Sequence, residues 1–91
     1  MAIELIYRIR DRKGIIQGEY MDKKTADIID QRLDVMYDLS DSMRELDAGL
    51  SDDQAEKLAV WMMDNREDLM KSLKRVKDIP EDAASEYIFP N

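Results

Sequence analysis

From Ile3 to Arg10 the chain alternates, with Ile3, Leu5, Tyr7 and Ile9 on one side and Glu4, Ile6, Arg8 and Arg10 on the other. That period of two predicts a half-buried strand. A second run, Ile15 to Met21, follows Asp11-Arg12-Lys13-Gly14, whose leading Asp and closing Gly suit a hairpin loop built on a type I turn. Pairing Arg10 with Ile15 sets Ile9 opposite Ile16, Tyr7 opposite Gly18 and Leu5 opposite Tyr20, all on one apolar face. In this register Gly18 leaves room for the Tyr7 ring. A two-stranded ribbon is marginal alone in water, so the segments that follow are expected to cover it.

Those segments carry a helical period. Asp22 is placed as an N-cap, and a helix runs without Gly or Pro over about residues 23–47 until Gly49 stops it. Ala26, Ile29, Leu33, Met36 and Tyr37 form its apolar centre, and Ile28, Val35, Leu39, Met43 and Leu46 widen the arc. Ser51-Asp52-Asp53-Gln54 reads as a capping box, with Ser51 the cap and Gln54 reaching back. The second helix is expected to run from Asp52 to about Lys77, before Pro80, with Lys71, Lys74, Arg75 and Lys77 near its C-terminus, where the dipole favours cations. Its seam is Ala55, Leu58, Met62, Leu69, Leu73 and Val76, flanked by Trp61 on one side and by Ala59, Met63 and Met70 on the other. Asn65 interrupts this seam, either hydrogen-bonding across an interface to fix register or sitting at a gap. The fold class is therefore α+β: an N-terminal two-stranded antiparallel β-hairpin followed by two long antiparallel α-helices, expected to be dimeric. One domain spans 1–80, and 81–91, ending Tyr87-Ile88-Phe89-Pro90-Asn91, reads as a mobile C-terminal tail.

Dimerisation follows from width. A surface helix packing on one neighbour needs an apolar stripe of a little over ~100°, and both arcs here are wider. A ribbon of two strands covers little area, and small chains often bury surplus apolar surface against a second copy. Val60, Trp61, Met63 and Met70 are the candidate dimer contacts.

The chain has 91 residues, room for one core. It holds no cysteine and no histidine, which removes disulfides, thiol nucleophiles, sulfur-ligated metal and the imidazole base. Only three glycines are present, and no Gly-rich phosphate loop, EF-hand loop or nucleophile elbow occurs. Asp52 and Asp53 at a helix start are explained by the dipole and the capping box. No catalytic residue, metal ligand or cofactor-binding residue is assigned, and a non-enzymatic protein is expected. With no apolar run of bilayer length and no basic-then-apolar leader, the reading is a cytoplasmic, unprocessed protein with no membrane contact.

Net charge is −7, unevenly spread. Residues 1–24 hold six cations against four acids, whereas 25–91 hold 8 cations against 17 acids. The first helix carries an acidic stripe, Asp27, Asp30, Asp34, Asp38, Asp41 and Glu45, at steps of three and four that place all six within about 80° of arc. Like charges so spaced cost about 0.2–0.5 kcal/mol per neighbouring pair. Relief must come from salt, another element or a basic partner, since Arg32 and Arg44 lie outside the stripe. The stripe is thus either a solvated face or a protein-interaction strip. The opposing cluster, Arg8, Arg10, Arg12, Lys13, Lys23 and Lys24, supplies candidate phosphate contacts for an alternative reading as a weak nucleic-acid binder. No aromatic alternates with these cations, so no stacking platform for single strands is signalled.

Ordered along the chain, Met1-Ala2-Ile3-Glu4 with Tyr7, Lys23-Lys24-Thr25-Ala26-Asp27 with Asp30 and Leu33-Asp34, then Asp53, Gln54, Glu56, Leu58 and Trp61, then Leu69 with Leu73-Lys74 and Pro80 resemble the YebG family of small bacterial DNA-damage-inducible proteins. The resemblance covers residues 1–80, and its specificity lies in order and spacing. It implies expression in the SOS response and transfers no catalytic site; a protein partner in the DNA-damage response is the reading adopted with it. The family's tails are more acidic and less apolar than residues 81–91 here.

Overall fold

A computed structural model describes residues 3–81. Five elements follow in order: β1 (Tyr7–Arg10), β2 (Ile16–Tyr20), α1 (Lys23–Leu46), α2 (Asp52–Asp64) and α3 (Arg66–Leu73). The antiparallel hairpin followed by helices is the expected α+β architecture, with three helices in place of two. The tail at 82–91, with its apolar tip, lies outside the described residues.

The hairpin is shorter than the alternation suggested, because Ile3 to Ile6 precede the paired strand, and its register differs. Asp11 N–H donates to the Ile15 carbonyl at 2.9 Å and Gly14 N–H to the Asp11 carbonyl at 2.9 Å, so three residues form the loop, and Gly14 takes φ +83°, as such loops require at that position. Arg10 then pairs with Ile16, but Ile9 pairs with Gly18, Arg8 with Glu19 and Tyr7 with Tyr20. Gln17 is the extra residue of a β-bulge. The expected pairs Arg10–Ile15, Ile9–Ile16, Tyr7–Gly18 and Leu5–Tyr20 are therefore replaced. The cause is Asp11, whose carboxylate accepts from the amides of Lys13 and Ile15 and from Gln17 Nε2, each at 2.9 Å. A slip of two residues preserves the faces, so Tyr7, Ile9, Gly18 and Tyr20 still share the inner side. Ile16, opposite Arg10, is left exposed.

Asp22 caps α1 as expected, accepting from the amides of Lys24 and Thr25 and from the Thr25 hydroxyl at 2.7 Å. The helix runs 24 residues, roughly 36 Å. Gly49 does not end it through a left-handed conformation. Asp47 turns to an extended backbone at φ −136°, and its carboxylate accepts from the Gly49 amide at 2.9 Å. The Ser51–Gln54 capping box starts α2, with bonds of 3.1 and 3.0 Å.

α1 and α2 pack along small residues: Ser40, Ala55 and Ala59 are buried, which allows a close approach of the two backbones, and Ser40 Oγ donates to the Tyr37 carbonyl at 3.2 Å. Arg32 bridges to Asp64 at 3.3 Å, and Arg44 bonds both Asp52 and the Leu50 carbonyl. The hairpin lies on α1, with Ile9 and Ala26 buried between them.

The expected single second helix breaks at Asn65. Its backbone sits at φ −109°, ψ 21°, and both its N–H, at 3.0 Å, and its Nδ2, at 2.9 Å, donate to the Trp61 carbonyl. An Asn side chain that competes for main-chain partners weakens a helix in this way. Beyond it, α3 ends at Leu73, short of Lys77.

Candidate functional site

All six acids of the stripe stand exposed on α1, but they do not form one free strip. Lys23 Nζ holds Asp27 at 2.9 Å, an i,i+4 pair. Arg12, reaching from the hairpin loop, holds Asp41 through two hydrogen bonds of 3.0 and 2.7 Å. Among the described residues Asp30, Asp34, Asp38 and Glu45 have no ion pair, and three of these are consecutive along the helix face. Another element therefore relieves one end of the stripe and leaves its middle bare.

The same pairings engage four of the six candidate phosphate contacts. Arg8 bonds Glu19 across the strands at 3.1 Å, Arg10 donates to the Gly14 carbonyl at 3.0 Å, and Arg12 and Lys23 are held by α1. Lys13 and Lys24 are the two members with neither an ion pair nor a side-chain hydrogen bond among the described residues.

These contacts shift the titration of the groups involved. The hydrogen bonds from Arg12 hold the Asp41 carboxyl below its ordinary value and, reciprocally, raise the Arg12 guanidinium. The Ile15 amide lowers Asp11, and the Thr25 hydroxyl lowers Asp22. Asp27 raises Lys23. A cleft of about 480 Å³ opens between the hairpin loop, α1 and the start of α2, yet its two arginines, Arg12 and Arg44, are already occupied by Asp41 and Asp52. Among the described residues no three carboxylates converge as a metal ion would require, and no helix is long and apolar enough to cross a membrane.

Of the candidate dimer contacts, Val60, Trp61 and Met70 are exposed. Met63 is half-buried, and with Ile29, Leu33, Met36 and Val60 it lines a groove between α2 and α1. Ile28 and Val35, which widen the apolar arc of α1, are 51% and 40% exposed. Periodicity missed Tyr37 as a partner of the hairpin: its hydroxyl accepts from the Arg12 amide at 3.4 Å, and its ring lies 4.0 Å beneath the Arg12 guanidinium.

No curated relative and no solved structure matches the chain significantly. The family model described as YebG protein matches residues 1–75, which takes in the hairpin, α1, α2 and α3. With the hairpin, the capped α1 and its acidic face all inside that span, the chain belongs to the YebG family.

Proposed function

We propose that the protein is a non-enzymatic component of the bacterial SOS response to DNA damage that works by binding other proteins, beginning with a second copy of itself. One observation carries this reading. Among the described residues a single large apolar side chain, Ile9, is buried, the other buried apolar residues being Ala26, Ala55 and Ala59, while sixteen large ones are exposed. Scattered exposed apolar residues are ordinary, but a small chain with this balance lacks the burial that offsets its conformational entropy. The missing burial has to come from association. The bare acids Asp30, Asp34 and Asp38 add a preference for a basic surface. The link to DNA damage rests on the family, whose members resemble this chain in sequence order and spacing, and the compartment in keeping with that role is the cytoplasm.

Sedimentation equilibrium of the full chain tests the self-association: a dimer is expected at micromolar concentration, and a monomer persisting at high micromolar concentration overturns it. Capture of a specific partner from DNA-damaged bacterial cells, lost on charge reversal of Asp30, Asp34 and Asp38, tests the rest. Titration of single- and double-stranded DNA at two salt concentrations checks the alternative. A steep salt dependence, with a slope near −3 to −4 for about four neutralised phosphates, would return the hairpin cations to consideration.

A further inference from the structure

The hairpin covers one side of the α1–α2 pair, and among the described residues nothing covers the other. Tyr37 meets the hairpin loop on α1. On α2, Glu56 shares a cleft with Arg12, and Val60 shares a groove with Gln17. Helical spacing turns Val35, Leu39 and Leu46 about 160–180° away from Tyr37, and Leu58 about 160° away from Val60. Trp61 stands beside Leu58, about 140° from Glu56. On this far side Val35, Leu46, Leu58 and Trp61 are exposed, and Leu39 and Met62 are half-buried.

The far side is apolar from one helix to the other. No charged residue lies between these six, and Asp38 and Lys57 mark its outer edges on α1 and α2. Towards α3 it stops at Arg32, held by Asp64 at 3.3 Å, and at Arg66, which donates to the Met63 carbonyl at 2.9 Å. Along α1, Val35, Leu39, Ser42 and Leu46 recur at steps of four, three and four, the seam of helices that pack about 20° apart.

The uncovered area matches what a dimer needs. The chain exposes 8211 Å². Setting aside about 1,600 Å², the most that the ten residues 82–91 can expose, leaves about 6,600 Å², against about 5,100 Å² for a compact monomer of the remaining mass. That surplus of about 1,500 Å² exceeds the ~800 Å² that each partner contributes to a stable interface. A two-fold contact sets a face against itself, so any charge on it meets like charge. The uncharged far side meets that condition, and the acidic stripe does not.

We infer that two copies stack back to back through this side, α1 and α2 of one against α1 and α2 of the other, with both hairpins outward. The four helices share one core, and Trp61 is its anchor, as large aromatic residues are in well-packed interfaces. This rests on the self-association proposed above and specifies its interface. Of the candidate dimer contacts it takes Trp61 and leaves Val60 and Met63 on the hairpin side.

Trp61 is the only tryptophan, so the unaltered full chain reports the contact. On dilution through the range where sedimentation equilibrium shows the dimer dissociating, its emission is expected to shift to the red and its quenching by acrylamide to rise in step. Two full-length variants at neighbouring positions separate the two sides of α2. Trp61→Glu is expected to weaken self-association at least about tenfold, by placing a charge in the shared core, and Val60→Glu to leave it unchanged. If the unaltered chain dimerises but its Trp61 emission and quenching ignore dissociation, the stacking is overturned while the proposed self-association stands. The same holds if Trp61→Glu dimerises like the unaltered chain, or if Val60→Glu dissociates the dimer as strongly as Trp61→Glu. If the unaltered chain is monomeric at high micromolar concentration, both fall.

Discussion

Arg12 grips Asp41 with two parallel hydrogen bonds, 3.0 and 2.7 Å, while its guanidinium lies 4.0 Å over the ring of Tyr37. The two residues are 29 positions apart, so the contact fastens the hairpin loop to the C-terminal half of α1. Only arginine combines a planar fork with stacking on an aromatic face. Arg12→Lys keeps the charge and loses both geometries. It is expected to release the hairpin nearly as much as Arg12→Ala does, seen as faster amide exchange at Ile9 and Gly18 while α1 and α2 keep their protection. Equal protection in Arg12→Lys and the unaltered chain would mean that the charge alone suffices.

The same contact makes hairpin docking sensitive to acid. The Asp41 carboxyl titrates below its ordinary 3.8 because Arg12 hydrogen-bonds its charged form. A group lowered by folding stabilises the fold fully above its unfolded value and loses that contribution as pH falls through its folded one. The Arg12–Asp41 contribution to docking is therefore expected to be intact at neutral pH and to weaken as pH drops below 3.8. The Tyr37 ring resonances would report this in an NMR titration. Asp11 and Asp22 are lowered as well, so the loop and the α1 cap weaken over the same range. Asp41→Asn is expected to abolish the acid step at Tyr37 by removing the charged pair with Arg12 at all pH values.

Features that depend on residues within a few positions were legible before any coordinates. Asp22 with Thr25 and Ser51 with Gln54 are caps whose partners lie within three residues, and both form as read. The inner face of the hairpin was legible because a two-residue slip leaves Tyr7, Ile9, Gly18 and Tyr20 together. The slip itself was not: it turns on the Asp11 carboxylate collecting two amides and the Gln17 side chain, a choice that alternation does not encode. The acidic stripe was legible as spacing. Its division into held and bare carboxylates was not, because that depends on how the hairpin lies across α1. Asn65 was visible as a polar gap, but whether such a residue bridges, fills or breaks is decided by its rotamer and by the Trp61 carbonyl.

Glycine has distinct roles at two positions of the hairpin. Gly14 sits at φ +83°, where any other L-residue is strained by roughly 1–2 kcal/mol. Gly14→Ala is expected to destabilise the chain by about 1 kcal/mol in urea denaturation. At Gly18 the obstacle is packing: a Cβ would come 2.7 Å from the Tyr20 hydroxyl oxygen and 2.8 Å from its ring. The expected neighbour was Tyr7, and the bulge at Gln17 explains the exchange. Gly18→Ala is expected to cost about 1–3 kcal/mol by overcrowding. Most of that cost should vanish in a Tyr20→Leu background, and a cost unchanged by Tyr20→Leu would place the strain in the backbone instead.

Asn65 decides the direction of α3. Its side chain and its main chain both donate to the Trp61 carbonyl, and its backbone leaves helical values just where α2 would otherwise run on. Alanine has no such side-chain donor and favours the helix by roughly 0.5 kcal/mol over asparagine. Asn65→Ala is therefore expected to fuse α2 and α3, raising helical circular dichroism and slowing amide exchange across 66–73 about twofold, the equilibrium factor that ~0.5 kcal/mol gives. Straightening also re-aims Met70 and Leu73, so the fused chain is expected to self-associate less even as its helix strengthens. That opposition separates a break that aims the exposed Met70 and Leu73 from one that merely tolerates a polar residue. If Asn65→Ala leaves exchange at 66–73 unchanged, the side chain is not the cause of the break. Should helicity and self-association rise together, the break would be a defect in the helix, without a role in aiming α3.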